Sequence, residues 1–323
     1  MNTAGRKFQE FIKPLRREAR IKRCFAESCD CSEDIKMAHS VQNNRILTRL
    51  ANEGEVIQLK EDVGESGFGI AARLIGRKVA SVATNFCGVH DTKIFVPIEK
   101  YGYRPPCAEQ EFLFAYRAFA REYHVKLEQT RFYQAALKRI TAPDAKRMFM
   151  DGLRGSEATL KEMEADRGIL NQVLLCSNFK QIDTFRLVFR AVPTIAVSSS
   201  FALEHDLNGR QINCLGDLET PLKQLMLTVF PEGENTYVLL SYFRRHKKLY
   251  SPFFKQISAR TIPEKKVIIS NMILAHVENM FMSPIWWAKK GNGFQEAVSS
   301  LFHRTIASDD GAFSSLRDIN LFE

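Results

Sequence analysis

Hydrophobic residues recur along the chain with different periods, and each period predicts a different kind of element. From about residue 108 to 140 they recur every three or four positions, as in Phe112, Tyr116, Phe119 and Tyr123. This spacing is typical of a helix with one buried face. The sequence TAP at 141–143 interrupts the pattern, and a second, more charged helix is predicted from about 144 to 175. Together the two stretches predict a helical hairpin.

From about residue 183 to 257 the period changes to two, which is the period of a strand. Phe185, Leu187 and Phe189 alternate with arginines. The stretches QLMLTVF (224–230) and TYVLLSYF (236–243) flank PEGEN, a turn signal between two strands. We therefore expect three to five antiparallel strands here. A continuous apolar run then follows Pro263 and predicts one long helix that stops before Pro284.

The first hundred residues mix both periods. EVIQLK (55–60) and KVASVATNFC (78–87) predict strands, and GESGFG (64–69) predicts a turn after the first of them. A proline pair at 105–106 marks a boundary. The expected fold class is therefore α+β, with an N-terminal domain (1–105), a helical connector (106–180) and a C-terminal antiparallel sheet with helices (181–323).

The N-terminal stretch combines an apolar face with basic charge. Phe8, Phe11, Ile12, Leu15 and Ala19 fall at helical spacing, and residues 1–23 hold eight basic residues against two acids. The whole chain carries a net charge of +9. Two interpretations stay open: a solvated helix face, or a helix that contacts phosphate groups. The candidates for phosphate contact are Arg16, Arg17, Arg20 and Lys22.

Composition limits the cellular compartment that we expect and the roles that the cysteines can have. No run of eighteen apolar residues and no apolar N-terminal segment is present, so we expect a cytoplasmic protein that does not span a membrane. Disulfides are rare in that compartment, and clustered cysteines there indicate metal binding. The isolated Cys107, Cys176 and Cys214 are expected to be ordinary buried thiols.

Two short stretches carry the ligand chemistry of a zinc site. Cys24-x4-Cys29 supplies one pair of ligands and Cys87-x2-His90 supplies a second, with Cys31 as an alternative to Cys29. Thiolate and imidazole ligands in two pairs suit tetrahedral Zn²⁺. A cysteine knuckle, a hairpin and a ligand pair at a helix start are the arrangement of a treble-clef domain.

His39 is not needed for the zinc site, and the residues around it resemble those of a known family. AHS (38–40) after the knuckle and NFCGVHD (85–91) before a helix resemble a diverged HNH nuclease of the ββα-metal superfamily, over about residues 20–100. The resemblance implies that His39 is the general base and that Asn85 lies near the family's conserved asparagine. Asp91 then falls where the family has a metal-binding histidine, and its carboxylate suits Mg²⁺ or Mn²⁺.

The first expectation for function is thus a metal-dependent HNH-like endonuclease that acts on nucleic acid, DNA rather than RNA, in bacterial antiviral defence. The alternative is a non-catalytic module in which zinc shapes the N-terminal domain and the basic helix binds nucleic acid or a partner protein. Both interpretations need the zinc site, and only the first needs His39 and Asp91.

Overall fold

The structure is a computed structural model that describes residues 3–28, 30–64, 67–307 and 317–323. In chain order the helices are α1 (Thr3–Ala19), α2 (Thr48–Leu50), α3 (Gly88–Ile94), α4 (Val96–Glu99), α5 (Ala108–Leu137), α6 (Pro143–Leu175), α7 (Lys247–Ser258), α8 (Ile262–His276), α9 (Pro284–Lys289) and α10 (Asn292–Ala307). The strands are β1 (Ile35–His39), β2 (Glu55–Gly64), β3 (Gly67–Gly76), β4 (Val82–Cys87), β5 (Ile182–Arg190), β6 (Ile195–Ala202), β7 (Gln224–Glu232), β8 (Asn235–Phe243) and β9 (Met280–Met282). The predicted mixture of helices with antiparallel sheets is confirmed.

A seven-stranded antiparallel sheet forms the centre of the molecule, with the strand order β3-β2-β9-β6-β7-β8-β5. Successive side chains of a strand point to opposite faces, and β7 uses both faces. Leu225, Leu227 and Val229 belong to an apolar cluster with α7, α8 and α10. Met226 and Phe230 belong to a second cluster with α5 and α6. Helices therefore cover both faces of the sheet.

The predicted helical hairpin is present as α5 and α6. Its first helix also packs on the sheet, because Phe114 stacks on Phe230 of β7 with ring centroids 4.5 Å apart. Tyr116 of the same helix packs on Phe25, the residue after Cys24, with ring centroids 5.0 Å apart. The helix α5 thus contacts both the sheet and the segment that carries the candidate metal ligands.

The prediction of one long helix between Pro263 and Pro284 is wrong. The helix α8 ends at His276, the strand β9 follows, and Pro284 begins a further helix, α9. A short apolar run is compatible with a buried helix and with a buried strand alike. Here Met282 pairs with both Ile57 and Ile195, so β9 joins β2 to β6 in the middle of the sheet.

The N-terminal 105 residues contribute to two sheets. Strands β1 and β4 form a separate antiparallel pair next to α3, with Ile35 opposite Cys87. The long hairpin β2–β3 lies instead at one end of the central sheet, next to β9. Asn279, which precedes β9, donates a hydrogen bond of 2.9 Å to Ser40 after β1. The proposed boundaries at 105 and 180 remain predictions.

No helix in the described part of the chain is both long and apolar enough to cross a membrane.

The expectation of ordinary buried thiols is wrong for Cys176 and Cys214, which are exposed, whereas Cys107 is half-buried.

Candidate metal centre and neighbouring polar site

Four side chains from two distant stretches form a group that can bind a metal ion. One ligand atom each from Cys24, Cys31, Cys87 and His90 lies within 4.8 Å of the other three. Cys87 ends β4 and caps α3, and its Sγ accepts a hydrogen bond from the backbone N–H of His90. The two ligands of this pair therefore lie on one turn of chain.

The ligand Cys24 is held against β4 by the backbone. Arg23 and Phe25, on either side of Cys24, donate hydrogen bonds to the carbonyls of Thr84 and Asn85 at 3.2 and 2.8 Å. The Phe25 ring also packs edge-on against Phe86, at 6.2 Å between centroids. Backbone pairing and aromatic packing bring the first ligand stretch to the second.

The sequence left Cys29 and Cys31 as alternatives for the fourth ligand. The structure brings Cys31 to the group, and the Cys29 prediction lies outside the described residues.

The imidazole of His90 is oriented for binding through Nδ1. This atom lies 3.1 Å from Cys24 Sγ and 3.3 Å from Cys87 Sγ. On the opposite side of the ring, Nε2 lies 3.0 Å from Asp30 Oδ1. A carboxylate on the second nitrogen is the usual outer partner of a metal-binding histidine, because it fixes the tautomer and the ring orientation.

Asp30 is itself held in place by further contacts. Its Oδ2 accepts a hydrogen bond from Lys93 Nζ at 3.0 Å, and the Ser28 hydroxyl donates to Oδ1. The Ser28 hydroxyl, then Lys93 and His90, lower the pKa of the Asp30 carboxyl well below its usual range. Asp30 is therefore ionised at neutral pH and accepts a hydrogen bond from the Nε2–H of His90.

Two thiols of the group, those of Cys24 and Cys87, differ in pKa. Burial, the largest influence, raises the pKa of Cys24. Burial also acts to raise the pKa of Cys87, but hydrogen bonds from the backbone N–H groups of His90 and Ser32 outweigh it, and the pKa of Cys87 is lowered. Metal ions bind thiolates, so a metal at this site displaces protons from its cysteines.

We expect Asp30→Asn to weaken metal binding by about 10- to 100-fold, because the His90 ring loses its carboxylate partner. Competition with a chromophoric chelator measures the affinity. Asp34→Asn is the matched control, since Asp34 is an exposed aspartate that pairs with Lys36 rather than with a ligand. Equal affinities for the two variants would remove Asp30 from the site.

His39 lies at the end of β1, outside the metal group. Its Nδ1 is 2.9 Å from the carbonyl oxygen of Ala80 and 3.2 Å from Ser81 Oγ. Because a carbonyl only accepts, Nδ1 carries the proton and Nε2 has the free lone pair. Burial is the main cause that lowers the pKa of His39 below 6.5, and the positive charge of Arg117 adds to it. The ring is therefore neutral at pH 7.

The charges of Arg117 and Glu99 act on both His39 and Asp91. Arg117 is 3% exposed, and its Nη2 lies 2.5 Å from Glu99 Oε1. Burial raises the pKa of the Asp91 carboxyl, and Arg117 opposes this effect. These four side chains thus share one electrostatic environment.

Two polar atoms of this environment lack hydrogen-bond partners among the described residues. They are Arg117 Nε and Gln42 Oε1, both buried, although Gln42 Nε2 donates to the backbone carbonyl of Glu99 at 3.3 Å. Unsatisfied buried polar atoms in a native structure call for an explanation such as a bound water or ion. Both side chains contact Glu99, Gln42 through the backbone carbonyl and Arg117 through the carboxylate.

Asn85 occupies β4, where the pairing with β1 shifts register. Its side chain is 3% exposed, and its backbone carbonyl accepts the hydrogen bond from Phe25. The role predicted for Asn85 from the family resemblance remains a prediction.

Among the described residues, the Cys/His group is the one set of three or more side chains that could hold a metal ion. His39 and Asp91 are not part of such a set.

The basic N-terminal helix has the predicted amphipathic pattern. Ile12, Leu15 and Ala19 of α1 are buried, and its apolar face contacts α5. The four predicted phosphate-binding residues are exposed, namely Arg16, Arg17, Arg20 and Lys22. Arg16 Nη2 lies 2.7 Å from Glu61 Oε2, so one of these charges is partly neutralised.

Sequence reasoning missed the residues that support the two sites. Asp30, Gln42, Glu99 and Arg117 were not predicted. One signal was available for Arg117, because it is a charged residue within the apolar run FAYRAFA.

Comparisons with protein-family models, with curated proteins and with solved structures find no match to this chain.

Proposed function

We propose that this chain is a metal-dependent, HNH-like endonuclease in which Zn²⁺ stabilises the fold and His39 is the general base. The observation that carries the proposal is the hydrogen bond from His39 Nδ1 to Ala80. It leaves Nε2 unprotonated in an electrostatic environment that also contains Asp91. A neutral imidazole fixed in this way can accept a proton from water.

Zinc fits the donor set of the Cys/His group. Cysteine and histidine ligands in a four-coordinate arrangement are typical of structural zinc sites. The ligand pair Cys87 and His90 follows β4 and opens α3, and β4 pairs with β1. The order of ligand stretch, paired strands β1 and β4, and helix α3 supports a treble-clef domain, and it is the local order expected for a ββα-metal site.

The polar site supplies the remaining groups for phosphodiester hydrolysis. Mg²⁺ or Mn²⁺, held by Asp91, would neutralise charge on the phosphate, since such ions are bound in proteins by one or two carboxylates together with substrate oxygens. His39 accepts the proton of the attacking water, and the Ala80 carbonyl holds the ring in position. Arg117 contributes a fixed positive charge nearby. The exposed Arg17, Arg20 and Lys22 would bind the phosphate backbone of DNA.

The direct test is cleavage of supercoiled plasmid by zinc-loaded protein, with Mg²⁺, with Mn²⁺ and with EDTA. We expect nicking that needs the divalent ion and that is stronger on DNA than on RNA. Electrophoretic mobility shifts on the same DNA measure binding separately. No cleavage under any of these conditions would contradict the nuclease.

The second candidate is a non-catalytic, zinc-stabilised module that binds nucleic acid or a partner protein. Two observations favour it: the exposed basic face of α1, and the lack of a second group of three metal ligands among the described residues. Salt-sensitive DNA binding without cleavage in the same assays would support this candidate. A role in bacterial defence stays a prediction from the family resemblance alone.

A further inference from the structure

The turn between β3 and β4, residues 77–81, lies directly against His39. The carbonyl oxygen of Ala80 accepts the hydrogen bond from His39 Nδ1, and Ser81 Oγ lies 3.2 Å from the same nitrogen. Ser40 donates both its backbone N–H and its hydroxyl to the Ser81 carbonyl, at 2.9 Å each. Hydrogen bonds therefore hold the turn to the end of β1 on both sides of the histidine ring.

Two adjacent residues of this turn are basic, and neither forms an ion pair within the described part of the chain. Arg77 Nη1 donates a hydrogen bond of 2.7 Å to Asn43 Oδ1, which orients the guanidinium group. Lys78, the next residue, is exposed. The positive charge of Arg77 reaches His39, where it contributes to the lowered pKa of the ring. The turn beside the candidate base thus carries two unpaired positive charges.

Two glutamates flank Gly54, whose carbonyl accepts a hydrogen bond of 2.8 Å from the backbone N–H of Arg77. Neither Glu53 nor Glu55 lies within ion-pair distance of the basic residues of the turn. Glu55 points to the opposite face of β2 from its neighbour Val56, which belongs to the same apolar cluster as the buried alanine of the turn. Glu53 is exposed, so solvent weakens its attraction for the basic pair. The turn therefore keeps a net positive charge.

The backbone phosphate of a nucleic acid suits this position. A guanidinium group donates several N–H groups to phosphate oxygens in a fixed geometry, and a lysine adds a mobile point charge. The N–H groups of Val79 and Ala80 both donate to the Gly76 carbonyl at 3.0 Å, which fixes the backbone of the turn. A loop that is already ordered loses less conformational freedom when a ligand binds.

We propose that the β3–β4 turn is a nucleic-acid-binding site, in which Arg77 and Lys78 contact backbone phosphates and hold one phosphodiester beside His39. The proposal takes its ligand from the proposed nuclease function, and it applies equally to the non-catalytic module. It adds a contact next to the candidate base to the basic face of α1.

The test is DNA binding by the full, zinc-loaded chain, measured by fluorescence anisotropy on a labelled duplex without Mg²⁺. The binding constant is followed between about 50 and 200 mM salt, because each phosphate contact contributes about 0.9 to the slope of log K against log salt concentration. Arg77→Gln and Lys78→Gln should each reduce this slope by about 1, and the double variant by about 2. Arg77→Lys should keep the wild-type slope, because it keeps the charge.

Lys255→Gln is the matched control, because Lys255 is an exposed lysine of α7, on the face of the central sheet away from the turn. Its slope should equal that of the wild type. Thermal denaturation shows whether each variant is folded. A wild-type slope in both glutamine variants of the turn would overturn the proposal, and so would a wild-type chain that does not bind DNA.

Cleavage with Mg²⁺ separates this proposal from the nuclease function. A reduced slope in the turn variants, without cleavage by the wild type, would support the binding site and contradict the nuclease. Cleavage by the wild type, with an unchanged slope in the turn variants, would contradict the binding site alone.

Discussion

Replacing Cys87 by serine is expected to remove the bound metal and to lower the free energy of unfolding by about 4 kcal/mol or more. Cys87 is fully buried where β4 meets α3. Its Sγ accepts a hydrogen bond from the backbone N–H of His90 in the first turn of that helix. An ion held by the Cys/His group would join this turn to the stretch around Cys24 and Cys31. Because such a site is not formed in the unfolded chain, the free energy of metal binding contributes directly to folding.

Elemental analysis and denaturant titration measure the two effects. We expect one zinc ion per chain in the wild type and none in the Cys87→Ser protein. Cys214→Ser is the control, since Cys214 is an exposed cysteine outside the group, and it should change neither quantity. If Cys87→Ser retains a full complement of zinc, the assignment of the ligand group is wrong.

His39→Ala is expected to reduce DNA cleavage by a factor of about 10² to 10⁴, which is the usual contribution of a general base. Its zinc content and DNA binding should stay at the wild-type level, because the side chain contacts neither the Cys/His group nor the basic face of α1. The assay is single-turnover cleavage of a labelled duplex. Wild-type cleavage by the variant would exclude His39 from the mechanism.

The control for this substitution is His205→Ala. His205 is a half-buried histidine in the loop after β6, away from the candidate sites. The pH profile of the wild type supplies a second check. A base must be neutral, and burial lowers the pKa of His39 below 6.5, so the acidic limb of the profile should have its midpoint below pH 6.5.

Much of the secondary structure was predictable because its signals are local. The alternation around Phe185 predicted β5, and the turn PEGEN predicted the β7–β8 hairpin. The three-and-four spacing predicted α5 and α6 for the same reason. The prediction failed at β9, where the pairing with β2 and β6 depends on strands that lie far away along the chain.

The candidate metal ligands were also predictable, to the extent that they are close in sequence. The pair Cys87 and His90 follows from a spacing of three and from donor chemistry. The choice between Cys29 and Cys31 depends on how the loop folds back. Asp30 is 60 positions from His90, and nothing in the local sequence connects the two.

By itself, the sequence determined the periodic elements, the amphipathic basic helix and the chemical nature of the metal ligands. These depend on the order of neighbouring residues and on the side chains alone. The tertiary structure decided that Cys31 lies close to Cys24, Cys87 and His90, and that the charges of Arg117 and Glu99 act on His39. It also decided that β2–β3 joins the central sheet. Each of these contacts joins residues brought together only by the packing of whole elements, which no local pattern encodes.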